Sequence, residues 1–324
     1  MYTTTSVAAL LFKRVRDIAE GFLGCTVSRA VATVPAGFSE RQRAAMAEAM
    51  LAAGLRPLRL ISDPMAAALG YGLDSPSDRT IKRVVVFDLG GSSLEVTVLL
   101  ASCGLLHTLS HVMTKDIGGR HFDDAVMELC QREFKRRTSM RVEGARSLAK
   151  LRRAAEIAKR ALTRQPSSHV EVDSLFEGID FGYNVSRARF EYECGPLLKV
   201  VTRTLTEALA GVNGGGAAPA DIHSVLLVGG ASRIPCVQQQ VRRFFGQVPV
   251  RSDVNPQEAQ ALGVADEMAQ MLRDHGALLW LLLFSCSLLS PRVGLCFSRG
   301  DCTLCGLWMR NNAPVRYHIC IHTV

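Results

Sequence analysis

A strand-like run that ends in a carboxylate and a pair of glycines could carry out phosphate and metal chemistry. Residues 84–87 are three valines and a phenylalanine, which is typical of a buried strand, and Asp88 follows before Gly90 and Gly91. Glycine lets backbone N–H groups approach an anion closely, so such a turn can cradle a phosphate. A carboxylate at the strand end is well placed to hold Mg²⁺ through its waters. The alternative is an ordinary hairpin, because glycine turns are common.

A second turn of the same kind lies far along the chain. Residues 225–228 are another buried-strand run, and Gly229, Gly230 and Arg233 follow it. Two such turns could hold one nucleotide from opposite sides. The repetition therefore favours a nucleotide site over an isolated hairpin.

Between the two turns, residues 145–163 resemble a helix with polar side chains on one face. Glu156, Lys159, Arg160 and Thr163 stand at positions i, i+3, i+4 and i+7. Alone, such a face would be interpreted as solvated, because charges at helical spacing usually face water. Beside two phosphate turns it becomes a candidate for contact with the nucleoside.

The elements that must position these residues alternate between helix and strand. Residues 6–23 predict an amphipathic helix and 30–34 a strand, and Ser39 is a candidate N-cap for a helix over 41–53. A polar linker at 75–83 then separates this part from the strands that carry the first turn. This alternation predicts an α/β fold.

Several stretches resemble the nucleotide-binding domain of the 70-kDa heat-shock chaperone family, which has the actin-like ATPase fold. They occur in the family's order and cover about residues 8–273, at 31–43, 58–73, 84–98, 116–124, 151–163, 173–181, 186–191, 225–235 and 255–265. They are most similar to a divergent cytosolic branch called heat shock 70 kDa protein 14. The resemblance implies two lobes, with an incomplete lobe I over 1–80 and lobe II over 81–274.

The resemblance also implies a role for each candidate residue. Asp88 would act in catalysis by organising the Mg²⁺ waters and the attacking water, and Asp63 matches the acidic residue before proline in the lobe-linking motif. The implied cofactors are ATP or ADP with Mg²⁺. The implied nucleotide contacts are the phosphate donors Gly90, Gly91 and Ser93, the turn glycine Gly119, the adenosine-side residues Glu156, Lys159, Arg160 and Thr163, and the residues of the second turn, Gly229, Gly230 and Arg233.

The chain also departs from the family pattern. The family's first phosphate loop and the catalytic lysine after it have no counterpart, and Arg120 and His121 stand where the family usually carries two acids. Phosphoryl transfer depends on positioning and charge neutralisation, so hydrolysis is expected to be impaired and ATPase activity is left open. The same segment supplies the first strands of lobe I, so a sheet edge is expected to be unpaired and prone to association.

Composition limits the partners and the compartment. Apolar residues make up 48% of the chain, which is ample for a core, and the net charge of +8 is only a mild basic excess. The 10 cysteines are too sparse for a disulfide scaffold, and the N-terminus has no signal-peptide pattern, so we expect reduced thiols and a cytosolic location. The expected partners are adenine nucleotide, a J-domain co-chaperone, the ribosome and, indirectly, unfolded or nascent polypeptide, with no DNA and no membrane.

Residues 275–324 have no match in the family and are expected to form a poorly ordered tail. The apolar run at 277–289 is shorter than the about 20 residues needed to span a bilayer. It is interpreted as an interfacial segment, a packing segment or, the favoured alternative, translated non-coding sequence. Cys302, Cys305, His318 and His322 have zinc-finger spacing, but Pro314 lies inside the would-be helix, so we interpret the spacing as coincidence.

Three functions and one non-functional alternative stay open at this point. The leading hypothesis is an ATP-binding chaperone component with impaired hydrolysis, which assists protein folding as a co-chaperone near the ribosome. The others are a slow ATPase and a nucleotide-independent scaffold for a J-domain partner. A chain that does not fold stably is the remaining alternative.

Overall fold

The computed structural model describes residues 3–75, 79–212 and 215–274, together with the strand segments 281–286, 294–296 and 317–323. The chain divides into two compact units. Unit 1 comprises residues 1–82, 100–107 and 252–324, and unit 2 comprises 83–99 and 108–251. Sequence motifs alone place the domain boundaries at 80/81 and 274/275, and that assignment stays a prediction.

Helices and strands alternate along the chain, which confirms the predicted α/β class. In order, the elements are α1 (Thr4–Leu23), β1 (Val27–Val34), α2 (Glu40–Ala52), β2 (Arg56–Ser62), α3 (Asp63–Gly70), β3 (Lys82–Leu89), β4 (Leu94–Ser102), β5 (Leu105–Thr114), α4 (Gly119–Thr138), α5 (Ala145–Leu162), β6 (Ser167–Phe176), β7 (Ile179–Ser186), α6 (Arg187–Glu193), α7 (Gly195–Ala210), β8 (Ser224–Val228), α8 (Pro235–Phe245), β9 (Val250–Arg251), α9 (Ala259–Asp274), β10 (Leu281–Cys286), β11 (Gly294–Cys296) and β12 (Tyr317–Thr323). Short 3-10 helices lie at Pro219–Asp221 and Gly230–Arg233.

Strand β1 lies inside the sheet of unit 1, whose strand order is β11-β10-β12-β1-β2. Its residues alternate between two cores. Ala30 and Ala32 share a buried cluster with Phe12 of α1, whereas Val31 shares another with Val264 of α9. Helices therefore cover both faces of β1, which explains why its second half carries no charge.

The sheet edge that the sequence predicts to be unpaired is occupied. Strand β12 runs parallel to β1, with Ala30 opposite Ile319 and Ala32 opposite Ile321. On its other side, β1 pairs in parallel with β2. The prediction of an open edge was wrong because it considered only the part of the chain that matches the family.

Helices α3 and α9 meet backbone to backbone at two glycines. A Cβ atom added to Gly70 would lie 3.2 Å from the backbone nitrogen of Gly263, and one added to Gly263 would lie 2.6 Å from the backbone nitrogen of Gly70. Real Cβ atoms are almost never found at the second of these distances from another heavy atom. This crossing therefore requires glycine on both helices, and it holds α9 against the unit 1 core.

Unit 2 is built on a sheet of order β5-β4-β3-β8-β9, with a separate two-stranded sheet of β6 and β7. Strands β3 and β8 are parallel neighbours in which Asp88 pairs with Val228. Both strands consequently end at the same sheet edge, immediately before their glycine turns. The core beneath them includes Phe87, Phe122 and Phe134, all fully buried.

Glu133 on α4 has a strongly lowered pKa that gives unit 2 an acid-sensitive contact. Its carboxylate accepts hydrogen bonds from Arg136 at 2.9 and 2.7 Å and from Arg137 at 2.6 Å. These guanidinium donors lower the pKa of Glu133 from 4.5 to about 2.

We expect the stabilisation by Glu133 to be complete above its unfolded pKa of 4.5 and to disappear as the pH falls towards about 2. Urea unfolding of the parent protein and Glu133→Gln at several pH values measures it. The stability difference should be constant above pH 5 and shrink below about pH 4.5. A difference that grows on acidification would contradict the assignment.

The remaining predictions for the tail fall largely outside the described residues. In the apolar run at 277–289, only 281–286 is described, as strand β10, and Cys302 and Cys305 lie outside the described residues. Among the residues that the structure does describe, no three metal-binding side chains come together. None of the helices described there is long and apolar enough to cross a membrane.

Candidate functional site

The first glycine turn connects β3 to β4 and is closed by its own backbone. Gly90 N–H donates to the Ser93 carbonyl at 3.0 Å. Asp88 lies just before the turn and is half-buried, whereas Gly91 is exposed. The turn therefore presents a carboxylate and exposed backbone side by side, as the sequence predicts.

A second loop, which opens α4, docks on the first through backbone hydrogen bonds. Gly119 N–H donates to the Gly90 carbonyl and Arg120 N–H to the Gly91 carbonyl, both at 2.9 Å. A Cβ on Gly118 would lie 2.6 Å from the backbone of Ser92. This interlocking fixes the two loops relative to each other. Because the amides of Gly90 and Gly119 are used in these contacts, phosphate donation by Gly90 and a nucleotide contact by Gly119 stay predictions.

The third loop follows β8 and passes directly beside Asp88. Gly229 has a φ of +81°, which favours glycine, and a Cβ there would lie 2.5 Å from Asp88 Oδ1. Gly230 then starts the 3-10 helix that ends at half-buried Arg233. The Ser232 hydroxyl donates to the Gly229 carbonyl at 2.7 Å and holds the turn in shape.

Gly119 marks the point where the loops and α5 converge. A Cβ added to Gly119 would lie 3.5 Å from both Gly91 Cα and Lys159 Nζ, and 3.6 Å from Ala231 Cβ. Three glycine loops and one helix, widely separated in sequence, therefore meet around one buried residue. We call Asp88, the three loops and Lys159 the loop cluster.

Lys159 is tied to protein partners at this point. Its ammonium donates to the Gly119 carbonyl at 3.1 Å and lies 2.7 Å from Asp123 Oδ1. Burial raises the pKa of Asp123, although Lys159 acts in the opposite direction. The sequence-based view of Lys159 as a nucleoside contact overlooked Asp123. The burial of Asp123 could have been predicted from the sequence, because Asp123 lies on the same face of α4 as the apolar Phe122, Val126 and Met127.

The other polar residues of the α5 face are more exposed. Arg160 donates to Glu156 at 2.6 Å in a surface ion pair, and the Thr163 hydroxyl donates to the Lys159 carbonyl at 3.2 Å. The four predicted adenosine-side residues thus divide into a lysine whose side chain is only 13% exposed and three more accessible side chains. Their contacts with a nucleotide remain predictions.

Asp63, the other predicted catalytic carboxylate, belongs to unit 1. It is the first residue of α3, is buried, and precedes Pro64 at the helix start. The loop cluster belongs entirely to unit 2. The catalytic role of Asp63 therefore stays a prediction.

The loop cluster fits a Mg²⁺ ion and a phosphate chain. Magnesium in phosphate-binding sites keeps several waters and is held by one or two carboxylates plus phosphate oxygens. Asp88 supplies one such carboxylate, and the third loop can pass this close to it only because residue 229 has no side chain. Asp88 would hold a bound Mg²⁺, which would supply neutralisation of the phosphate charge, and the loops would orient the phosphate chain.

Comparison with known proteins identifies relatives of this chain. The Hsp70 protein family matches residues 1–279. A heat shock 70 kDa protein of Neurospora crassa is 38% identical over 279 residues, which are 85% of this chain and 42% of that protein. Heat shock 70 kDa protein 14 of Mus musculus is 40% identical over 262 residues, 81% of this chain and 51% of that protein.

A third relative carries a more specific description. A ribosome-associated molecular chaperone of Eremothecium gossypii is 38% identical over 269 residues, which are 83% of this chain and 43% of that protein. The matched region thus spans about half or less of each of these relatives.

Proposed function

The chain belongs to the Hsp70 family, and from that premise we propose that it is an adenine-nucleotide-binding chaperone component whose phosphate site is the loop cluster of unit 2. The observation that carries this proposal is the convergence on Gly119. Gly91 of the first turn, Ala231 of the third loop and Lys159 each have an atom within 3.6 Å of the position that a Cβ on Gly119 would occupy. Gly119 itself belongs to the α4 loop. Such convergence is what a site that encloses a phosphate chain requires.

Hydrolysis is proposed to be impaired. Asp88 would hold Mg²⁺ through its waters, but Arg120 and His121 stand where the family usually carries two acids. Arg120 contributes its N–H to loop docking and His121 contributes its N–H to the Gly118 carbonyl, and neither side chain is acidic. Turnover depends more than binding on the groups placed around the transferring phosphoryl group, so this change is proposed to lower turnover more than binding.

The proposed partners are a J-domain co-chaperone and the ribosome, with nascent polypeptide engaged indirectly. Support comes from the likeness to heat shock 70 kDa protein 14 and to a chaperone described as ribosome-associated. The cytosol is the compartment that this proposal requires.

Titration calorimetry with ADP and with ATP, each with Mg²⁺, tests the nucleotide proposal. The informative variant is Arg160→Ala, because Arg160 is exposed and its loss leaves no buried partner. We expect saturable binding that Arg160→Ala weakens about tenfold, since one charge-assisted contact contributes about 1.5 kcal/mol.

The matched control is Arg152→Ala. Arg152 lies on the same helix and forms a surface ion pair with Asp124 at 2.9 Å, but it is not a predicted nucleotide contact. Its replacement should leave the affinity unchanged. If a folded sample shows no heat with either nucleotide, the site does not bind nucleotide, and the scaffold function replaces this proposal.

A further inference from the structure

We propose that Cys194 and Cys236 form a redox-active dithiol in the core of unit 2, which hydrogen peroxide oxidises to a disulfide within one chain. Both residues are free cysteines in the folded protein. Neither of them belongs to the loop cluster, and the chemistry requires no bound nucleotide.

The two thiols are in direct contact inside the protein. The Cys194 thiol donates a hydrogen bond to the sulfur of Cys236. Only 0% of Cys194 and 5% of Cys236 is exposed, and both residues belong to the hydrophobic core of unit 2. A disulfide forms only between cysteines whose side chains approach each other, so this contact meets its first geometric condition.

Regular backbone structure holds both cysteines in place. Cys194 lies at the junction of α6 and α7, where its N–H donates to the Phe190 carbonyl and its carbonyl accepts from the Leu198 N–H, both at 3.1 Å. Cys236 lies in the first turn of α8, directly after Pro235, whose ring fixes φ. The contact between the thiols is therefore set by two helix starts and not by a loop.

The surroundings give the two sulfurs different acidities. The hydrogen bond from Cys194 and the backbone N–H groups of the first turn of α8 lower the pKa of Cys236, although burial and the charge of Glu191 act in the opposite direction. The same hydrogen bond and burial raise the pKa of Cys194. Cys236 is therefore the sulfur that ionises first, and Cys194 is the protonated neighbour.

This asymmetry defines the order of the reaction with peroxide. The Cys236 thiolate attacks one peroxide oxygen, the O–O bond breaks, and hydroxide leaves and is protonated to water, which converts Cys236 to a sulfenic acid. The Cys194 sulfur then attacks the Cys236 sulfur, the S–O bond breaks, and the departing hydroxide takes the Cys194 proton as a second water. Two thiols thus lose two electrons and two protons, and one peroxide is reduced to two waters.

The position of Cys236 connects this reaction with the third loop. Helix α8 begins at Pro235, immediately after the 3-10 helix Gly230–Arg233 and Ile234. The disulfide would attach this helix start to the α6–α7 junction and close a covalent loop that contains α7 and β8. Oxidation would therefore restrict the segment through which the third loop enters α8.

Peptide mapping by mass spectrometry tests the proposal on the parent protein. The protein is treated with peroxide, its remaining thiols are alkylated in acidic denaturant, and the digest is compared with and without reduction. We expect a reducible link between residues 194 and 236 of one chain. Cys130 is the internal control, because it is buried in the same unit and burial raises its pKa to about 12. Cys194 and Cys236 should lose their thiols at least tenfold faster than Cys130.

Alanine variants assign the two roles. Cys194→Ala removes the second thiol, so the sulfenic acid of Cys236 should accumulate, and its labelling by dimedone should be at least tenfold that of the parent. Cys236→Ala should leave Cys194 reduced. Cys130→Ala, the matched control, should change neither the link nor the labelling.

Three results on the parent protein would overturn the proposal, and none of them requires a variant to fold. The first is oxidation of the exposed Cys103 while Cys194 and Cys236 both stay reduced. The second is a 194–236 link found only between two chains. The third is loss of the Cys130 thiol as fast as that of Cys236, because the pair would then have no special reactivity.

Discussion

Gly263→Ala is expected to destabilise unit 1 by about 3 kcal/mol or more, at the upper end of the range for overpacking. A Cβ at this position would overlap the backbone of Ala66 and lie 2.6 Å from the Gly70 nitrogen. Because backbone atoms rather than a flexible side chain stand in the way, α3 and α9 would have to separate. Chemical unfolding of the variant and the parent protein measures the loss.

Gly21→Ala is the matched control. Gly21 also lies in a helix, α1, but nothing stands within 4 Å of an added Cβ. Alanine is the better helix former, so this variant should be up to about 1 kcal/mol more stable than the parent. The same chemical change should therefore have opposite signs in α9 and α1. A Gly263→Ala protein as stable as Gly21→Ala would show that the two helices are not in backbone contact.

Lys159→Met is expected to cost about 3–5 kcal/mol of unfolding free energy, although the sequence predicts Lys159 to be a ligand contact. The ammonium lies 2.7 Å from Asp123 Oδ1, and only 13% and 12% of the two side chains are exposed. Removing the lysine leaves a buried carboxylate whose pKa burial already raises. Urea unfolding near neutral pH measures the cost.

Two further variants separate this effect from a general loss of α5. Replacing both partners, as Lys159→Met with Asp123→Asn, should restore much of the stability because no buried charge is left alone. Arg160→Met breaks only the exposed pair with Glu156 and should cost at most about 1 kcal/mol. If Lys159→Met were no more harmful than Arg160→Met, the buried pair would not stabilise the fold.

The sign of the pH dependence is also defined. Lysine lowers the pKa of Asp123, so in Lys159→Met that pKa rises further and the carboxyl takes up a proton more readily. The deficit of the variant should therefore shrink as the pH falls.

The structural role of Lys159 matters for tests of function, because lost nucleotide binding in a Lys159 variant would reflect a damaged loop cluster as well as a missing contact. Arg160 is the cleaner probe.

Local signals predicted local structure well. Ser39 caps α2, as its position before the predicted helix indicates, and the helix boundaries at 40–52 differ by one residue from the expected 41–53. The strand that carries Asp88 and the turn at Gly90 were equally recognisable, because β-branched residues and glycines carry strong local preferences.

What sequence patterns missed depends on contacts between distant segments. Asp123 and Lys159 lie on different helices, so neither helix pattern alone shows that they pair. Gly263 is one glycine in a helical segment, and only the crossing with α3 explains it. Strand β12 lies outside the stretches that resemble the family, and its pairing with β1 joins residues from opposite ends of the sequence.

The pairing of β1 with β12 has a consequence for the order of assembly during synthesis. Strand β1 leaves the ribosome early, whereas residues 317–323 emerge only after the whole of unit 2 has been made. Domains generally fold as units during translation, so unit 2 can reach its native state before β12 is available to pair with β1. Such a long-range contact forms slowly because a very large loop must close first. Until it forms, the uncharged residues 30–32 of β1 lack the strand that pairs with them in the folded protein. A chain of this chaperone family would then itself need a chaperone's protection late in its own synthesis.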